Sequence, residues 1–311
     1  MLHSFISNSS MKNFLKIFIY FFIPIVIASA CLEVYMRHIP NSYRYKDEWM
    51  KKNGNYVESL ILGSSHAYYG INPEYLSGKA FNLANVSQDL ERDYFVFNKY
   101  KDNVKNLKTV ILVLSDANML STMEKGVESW RIAYYGIYMG YPQKRLALEI
   151  TNARMTDKLQ ASLKGDDMLG CTPLGFGTAY KDENKQPITE TSINEALERN
   201  TILNKVGNID TTYLRQNIKA LDEIILLCKQ KNAKLIILTA PVVREYGKRM
   251  NRSQSALFYK IIHKKIKGNS NIEFRDYIKD PRFSSADFFD CDHLTNLGAK
   301  KFSEIISQEI H

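Results

Sequence analysis

A chain of 311 residues that is 45% hydrophobic and 24% charged, with 15 Gly and 8 Pro, has room for one large domain or two ordinary ones. Its composition excludes collagen-like, low-complexity and broadly disordered classes. The 42 Lys and Arg exceed the 33 Asp and Glu by 9, but the excess is scattered instead of gathered into a basic arm, so nothing points to nucleic acid as a partner. Cys31, Cys171, Cys228 and Cys291 have neither CxxC nor zinc-like spacing and are too few to staple a chain this long, so no metal site, cofactor or disulfide framework is implied.

In chain order, the first element is Ile17 to Leu32, sixteen uncharged residues between Lys16 and Glu33. As a helix it covers about 24 Å of a roughly 30 Å hydrocarbon core, and a snorkelling Lys16 lets Phe14 and Leu15 add a turn. Residues 1–32 therefore read as a retained N-terminal transmembrane anchor. They also read as a secretory signal, with Lys12 and Lys16 as the basic region, Ile17 to Ile27 as the apolar region and Ala28-Ser29-Ala30 as a cleavage site, or with Cys31 as a lipid attachment point. Either reading exports the bulk of the chain. The basic residues Arg37, Arg44, Lys46, Lys51 and Lys52 after the segment argue the other way, for a cytoplasmic C-terminal part.

Residues 33–55 read as a juxtamembrane spacer, with helical potential from Tyr43 to Lys52 that stops at Asn53-Gly54. From Val57 onward, short apolar runs alternate with helical periodicity. Strands are expected at Val57–Leu62, Ala80–Ala84, Thr109–Leu114, Lys234–Thr239 and Ile272–Arg275, and helices at Ser87–Tyr100, Thr212–Gln230, Ser253–Lys267 and Thr295–Glu309. That alternation predicts a parallel sheet covered by helices on both faces, a three-layer α/β/α domain over 56–311. The interval of about 119–208 breaks the rhythm and reads as a helical insertion or cap at the carboxyl edge of the sheet. Within it, Trp130, Tyr134, Tyr135, Tyr138 and Tyr141 have the spacing of a packed helix face, and a sugar-stacking platform is the lesser reading.

The first strand runs into Gly63-Ser64-Ser65, so these residues fall at the carboxyl edge, where parallel sheets bind ligands. By itself a serine there is better explained as a cap for the next helix. Near the other end, Asp290 and His293 sit three apart before the last helix, a spacing that lets one loop present a carboxylate to an imidazole whose other nitrogen faces a hydroxyl. Ser65, His293 and Asp290 thus form a candidate catalytic triad, with Asp292 as the alternative carboxylate. His66 is read as a pocket-lining residue, and Cys291 as a bystander.

Gly63-Ser64-Ser65 after the first strand and Asp290-x-x-His293 before the last helix resemble the SGNH/GDSL hydrolase family over about Tyr56 to His311, and the resemblance implies a flavodoxin-like parallel sheet. The resemblance makes Ser65 the nucleophile, with Ser64 in place of the usual aspartate. The turn Asn82-Leu83-Ala84-Asn85-Val86-Ser87 is similar to the family's second block with both glycines replaced, so the Ser87 amide is the expected oxyanion donor beside that of Ser65. In Leu114-Ser115-Asp116-Ala117-Asn118, Asn118, with Asp116 as the alternative, stands for the family's third-block asparagine. The wording GSSHAYYGINP and DCDHLTNLGA is similar to anchored SGNH-like proteins of bacterial surface polysaccharide systems, and more distantly to D-alanine-transfer and alginate-acetylation proteins. What this implies is a serine-dependent O-acyl esterase or O-acyltransferase whose partner is an acylated envelope glycan or another ester. The replaced blocks leave open a catalytically silent scaffold or glycan-binding protein. No protein partner is signalled.

Overall fold

The computed structural model describes residues 8–144, 146–203 and 211–310. Residues 1–7 of the expected anchor, 204–208 of the expected insertion and His311 lie outside the described residues. In chain order the elements are α1 (Asn8–His38), α2 (Ser42–Asn53), β1 (Ser59–Gly63), α3 (Ser65–Tyr68), β2 (Ala80–Asn82) and α4 (Leu90–Tyr100). Then follow β3 (Thr109–Val113), α5 (Asp116–Leu120), α6 (Ile132–Met139), α7 (Met155–Lys164), α8 (Glu190–Asn200) and α9 (Thr211–Gln230). The chain ends with β4 (Lys234–Thr239), α10 (Arg244–Arg249), α11 (Arg252–Ile266), β5 (Ile272–Asp276) and α12 (Asn296–Glu309).

The chain divides into two compact units. One comprises residues up to Pro40 together with Pro142–Met168. Here the apolar run lies within a longer helix: Met11–His38 spans 28 residues with a mean hydropathy of 2.3, and none of its most apolar window is buried. That helix is long and apolar enough to cross a membrane. Residues 142–168, expected to cap the sheet, group instead with α1. The reason is local: the Glu33 carboxylate accepts the N–H groups of Glu149 at 3.2 Å and Ile150 at 3.0 Å, and buried Lys158 donates to buried Glu149 at 2.7 Å.

The other unit, Asn41–Tyr141 and Leu169–His311, is built on a parallel sheet of order β2-β1-β3-β4-β5, the flavodoxin-like arrangement. Alternate side chains of each strand face opposite ways. Leu60, Leu62, Val110, Leu112, Leu235 and Ile237 enter one core, closed by α2, α4, α6, α9 and α11. Ile61, Ile111, Val113, Ile236 and Leu238 enter the other, closed by residues of α3, α8, α10 and α12. This is the expected three-layer α/β/α fold.

The stretch expected as a spacer is a packed helix: α2, capped by the Asn41 side chain accepting from Arg44 N–H at 2.9 Å, buries Tyr43, Lys46, Asp47 and Met50. Helix α4 begins at Leu90 and not at Ser87, because Ser87 has a left-handed φ of 58° and the Asp89 side chain caps the helix by accepting from Arg92 N–H at 3.1 Å. Trp130, Tyr134, Tyr135, Tyr138 and Tyr141 all join or abut the α4/α9 core, with Tyr134 and Tyr135 edge-on to Tyr43. All four cysteines are free thiols.

Candidate active site

The sheet reverses its strand order between β1 and β3, and a crevice forms outside the carboxyl ends of neighbouring strands at such a point. The chain leaves β1 there through Gly63, whose φ of +130° is closed to L side chains and whose added Cβ would lie 2.6 Å from Val113 O. Beneath the turn, Asp93 Oδ1 accepts from Gly63 N–H at 2.8 Å and from Gln88 Nε2 at 2.6 Å. Burial pushes the Asp93 carboxyl up to about 8, against the pull of those two hydrogen bonds. Asn82 ties the next loop to the same turn: its Nδ2 donates to Ala67 O at 2.8 Å and Ile71 O at 2.9 Å, while its Oδ1 accepts from Ala84 N–H at 3.0 Å. Buried Lys46 donates to Ala84 O and lies over the Tyr68 ring.

Ser65 opens α3 and is partly exposed. Its Oγ lies 2.8 Å from His293 Nε2, across 228 positions of sequence. The loop before α12 presents the histidine. Asp290 Oδ1 accepts the N–H groups of Asp292 at 3.0 Å and His293 at 2.8 Å, Phe289 N–H donates to His293 O at 2.9 Å, and Thr295 caps the helix by accepting from Gly298 N–H at 3.1 Å. His293 Nδ1 lies 3.0 Å from both carboxylate oxygens of Asp290. A carboxylate only accepts, so Nδ1 carries the proton and Nε2 accepts from the Ser65 hydroxyl. Sequence-predicted Ser65, His293 and Asp290 are thus brought together.

Ser64 is buried, at 5% exposure, and makes no capping bond to α3; its Oγ sits a long 3.5 Å from His66 Nδ1. Ser87 stands in the expected turn with a left-handed φ of 58°. Asn118 lies at the carboxyl end of β3, but its Oδ1 accepts from Ser115 N–H and Ser115 Oγ, both at 2.9 Å, in a capping box that opens α5. Asp116 accepts from Ser255 Oγ at 2.7 Å.

Three residues, Arg199, Asn200 and Tyr180, join the site without a sequence signal. The Asp292 carboxylate, 2% exposed, accepts from Arg199 Nη2 at 2.7 Å and Asn200 Nδ2 at 3.0 Å, both at the end of α8 and more than ninety positions away. His66 stacks on His293 with ring centroids 4.7 Å apart and planes 11° apart, and Tyr180 meets His293 edge-on at 5.2 Å. Burial works against a charged His293, but Asp292, then the hydrogen bond to Asp290 and its charge, raise it above the ordinary imidazole value. Burial likewise opposes ionised Asp292, yet the charges of His293, His66 and Arg199 and the His66 hydrogen bond hold it well below the usual carboxylate range.

His66, Asp292 and His293 place one donor atom each within 4.8 Å of one another, a donor set suited to a transition metal. The nitrogens of His293 are already directed at Ser65 and Asp290, and Asp292 is matched by Arg199, so the group is arranged as a hydrogen-bonded relay. A cavity of about 30 Å³, room for a water or two, adjoins it, lined among others by His66, Asp116, Asn200, Tyr246 and Asp292. The larger depression of about 780 Å³ lies along β5, among the ion-paired Glu273, Arg275, Asp280, Arg282 and Glu309, away from this chemistry.

No family model matches the chain, and no curated protein does. Among solved structures, one described as a candidate platelet activating factor from Streptococcus pneumonia aligns over 98% of this chain and 100% of its own, with 10% identity and a TM-score of 0.42. A likeness that slight does not bear on function.

Proposed function

We propose that this chain is a membrane-anchored, serine-dependent O-acyl esterase or O-acyltransferase of SGNH type, acting on an acylated cell-envelope polysaccharide. The observation that carries the reading is the 2.8 Å contact between Ser65 Oγ and His293 Nε2, continued at 3.0 Å from Nδ1 to Asp290. In this mechanism His293 takes the hydroxyl proton as Ser65 Oγ attacks the ester carbonyl, and Asp290 steadies the imidazolium. The amides of Ser65 and Ser87 hold the oxyanion, each donor contributing about 3 kcal/mol in the transition state. Collapse of the tetrahedral intermediate breaks the ester C–O bond. The imidazolium returns its proton to the departing alkoxide, leaving acyl-Ser65 and a free alcohol. Water or a sugar hydroxyl then gives its proton to His293 and takes the acyl group as the acyl–Oγ bond breaks, and the imidazolium returns that proton to Ser65 Oγ; water as acceptor makes the protein an esterase and a sugar hydroxyl a transferase.

One further observation supports part of this reading: the long apolar helix α1 supports membrane attachment. The test is hydrolysis of chromogenic acetyl and octanoyl esters by the full chain in detergent, with and without an oligosaccharide acceptor. Ester turnover that is lost in Ser65→Ala is expected, and acceptor-dependent acyl transfer selects the transferase. Absence of turnover with every ester and acceptor favours the scaffold reading, in line with the Asn118 side chain's engagement in a helix cap.

A further inference from the structure

Beside the Ser65–His293–Asp290 chain runs a second, parallel one. Ser64 Oγ is 3.5 Å from His66 Nδ1, His66 Nε2 is 3.4 Å from Asp292 Oδ2, and the two imidazoles stack face to face. Asp292 bridges the chains, because its Oδ1 lies 3.6 Å from His293 Nδ1, just beyond the Asp290 oxygens. His293 therefore faces two carboxylates, one partly exposed and one enclosed.

We propose that Asp292 is a second carboxylate partner of the His293 imidazole, and that His66 is a positioning residue that clamps Asp292 and covers one face of His293. This rests on the acyl-transfer reading for its consequence, since an imidazolium must form at His293 in every turnover. Asp292 is buried, and a buried carboxylate acts on a neighbouring imidazolium with little screening by water. Its place is fixed from three sides: Arg199 and Asn200 from α8 take one oxygen each, and His66 from the turn after β1 approaches the oxygen shared with Asn200. Among the described residues, His66 Nε2 is paired with that carboxylate, which only accepts, so Nε2 presents its N–H there. Ser64 has no nucleophilic part in this arrangement, because it is buried while Ser65 is open.

The titratable and charged groups around the pair come from several elements. Ser65 and His66 face His293 from the β1 turn, Tyr180 from the chain before α8, Arg199 from α8, and Asp290 and Asp292 from its own loop. Around Asp292, Tyr246 of α10 and Asp116 of α5 share the adjoining cavity. Asp290 and Asp292 bring two carboxylates to the cluster and Arg199 one guanidinium, so an imidazolium at His293 pairs with the second carboxylate. Removing the charge of Asp292 leaves that imidazolium facing Arg199 with one carboxylate fewer.

The experiment is titration of the His293 ring by NMR in the full chain in detergent, with its resonance identified by its loss in His293→Ala, run beside the pH profile of ester turnover. Asp292→Asn is expected to lower the His293 midpoint by about one pH unit or more and to move the acid limb of activity with it. His66→Phe, which keeps a stacking ring but loses the N–H, is expected to lower the midpoint in the same direction by a smaller amount, and His66→Gln, which keeps an N–H, to restore most of it. Combined with Asp292→Asn, His66→Phe is expected to add nothing further. An unchanged midpoint in both Asp292→Asn and Arg199→Gln overturns the second-carboxylate role. Fully additive shifts in the double variant overturn the clamp. The NMR midpoint reads the proposal even if turnover is absent, and loss of turnover with the predicted midpoints would count against the acyl-transfer reading alone.

Discussion

The support beneath the β1 turn makes a prediction about stability against pH. Asp93 is enclosed, with one oxygen accepting from Gly63 and Gln88, while Gln88 Oε1 accepts from Tyr135 at 2.7 Å. In the folded chain its carboxyl keeps its proton up to about 8, whereas an exposed aspartate loses it near 3.8. Between those limits the folded state holds one proton more than the unfolded state. Its contribution is therefore greatest in acid and declines by about 1.4 kcal/mol for each unit of rising pH. Asp93→Asn preserves an oxygen for both N–H donors and cannot titrate. The measurement is denaturant unfolding of both proteins in the same detergent. From pH 5 to pH 7 the variant should gain about 3 kcal/mol relative to the native chain, even if its extra N–H lowers both values by about 1 kcal/mol. A difference between the two proteins that stays constant over that range would refute a protonated Asp93 under the turn.

Three other outcomes follow from the same structure. Ser87→Gly should leave the chain equally stable or stabilise it by about 1 kcal/mol in urea unfolding, because Ser87 holds a left-handed φ of 58°; a loss larger than that would mean its hydroxyl is engaged. Phe302→Ala, at a fully buried α12 position edge-on to Tyr277, should cost about 3–5 kcal/mol in the same assay, and a cost below 1 kcal/mol would contradict its place in the core. Asp290→Asn should lower ester kcat by roughly 10³–10⁴-fold with the fold intact by circular dichroism, because an amide no longer fixes the His293 tautomer; near-native kcat would transfer that role to Asp292.

The five strands and four long helices were legible because each is a run of apolar residues with its own period, and periodicity is local. The turn residues Gly63 and Ser65 and the pair Asp290 and His293 were legible because each sits at a fixed place relative to such a run. The one-turn helix α3 and the short α5 and α10 have too few residues to display a period. The spacer reading of Tyr43 to Lys52 failed for a different reason. Its many charges suggest solvent, but Asp47 accepts from Lys51, Lys99 and Tyr100 at 2.5–2.6 Å, and buried Lys46 donates to Ala84 O, so both buried charged side chains find hydrogen-bond partners in the fold. Partners supplied by α8, namely Arg199 and Asn200 for Asp292, are set only by tertiary packing and leave no trace in spacing.

The most direct measurement of the central claim is covalent labelling of the full chain with an activated fluorophosphonate, followed by peptide mapping. One label per chain on Ser65 is expected, abolished in His293→Ala and in Ser65→Ala. Label on another residue, or labelling of Ser65 that is indifferent to loss of His293, would contradict an activated serine at the end of β1.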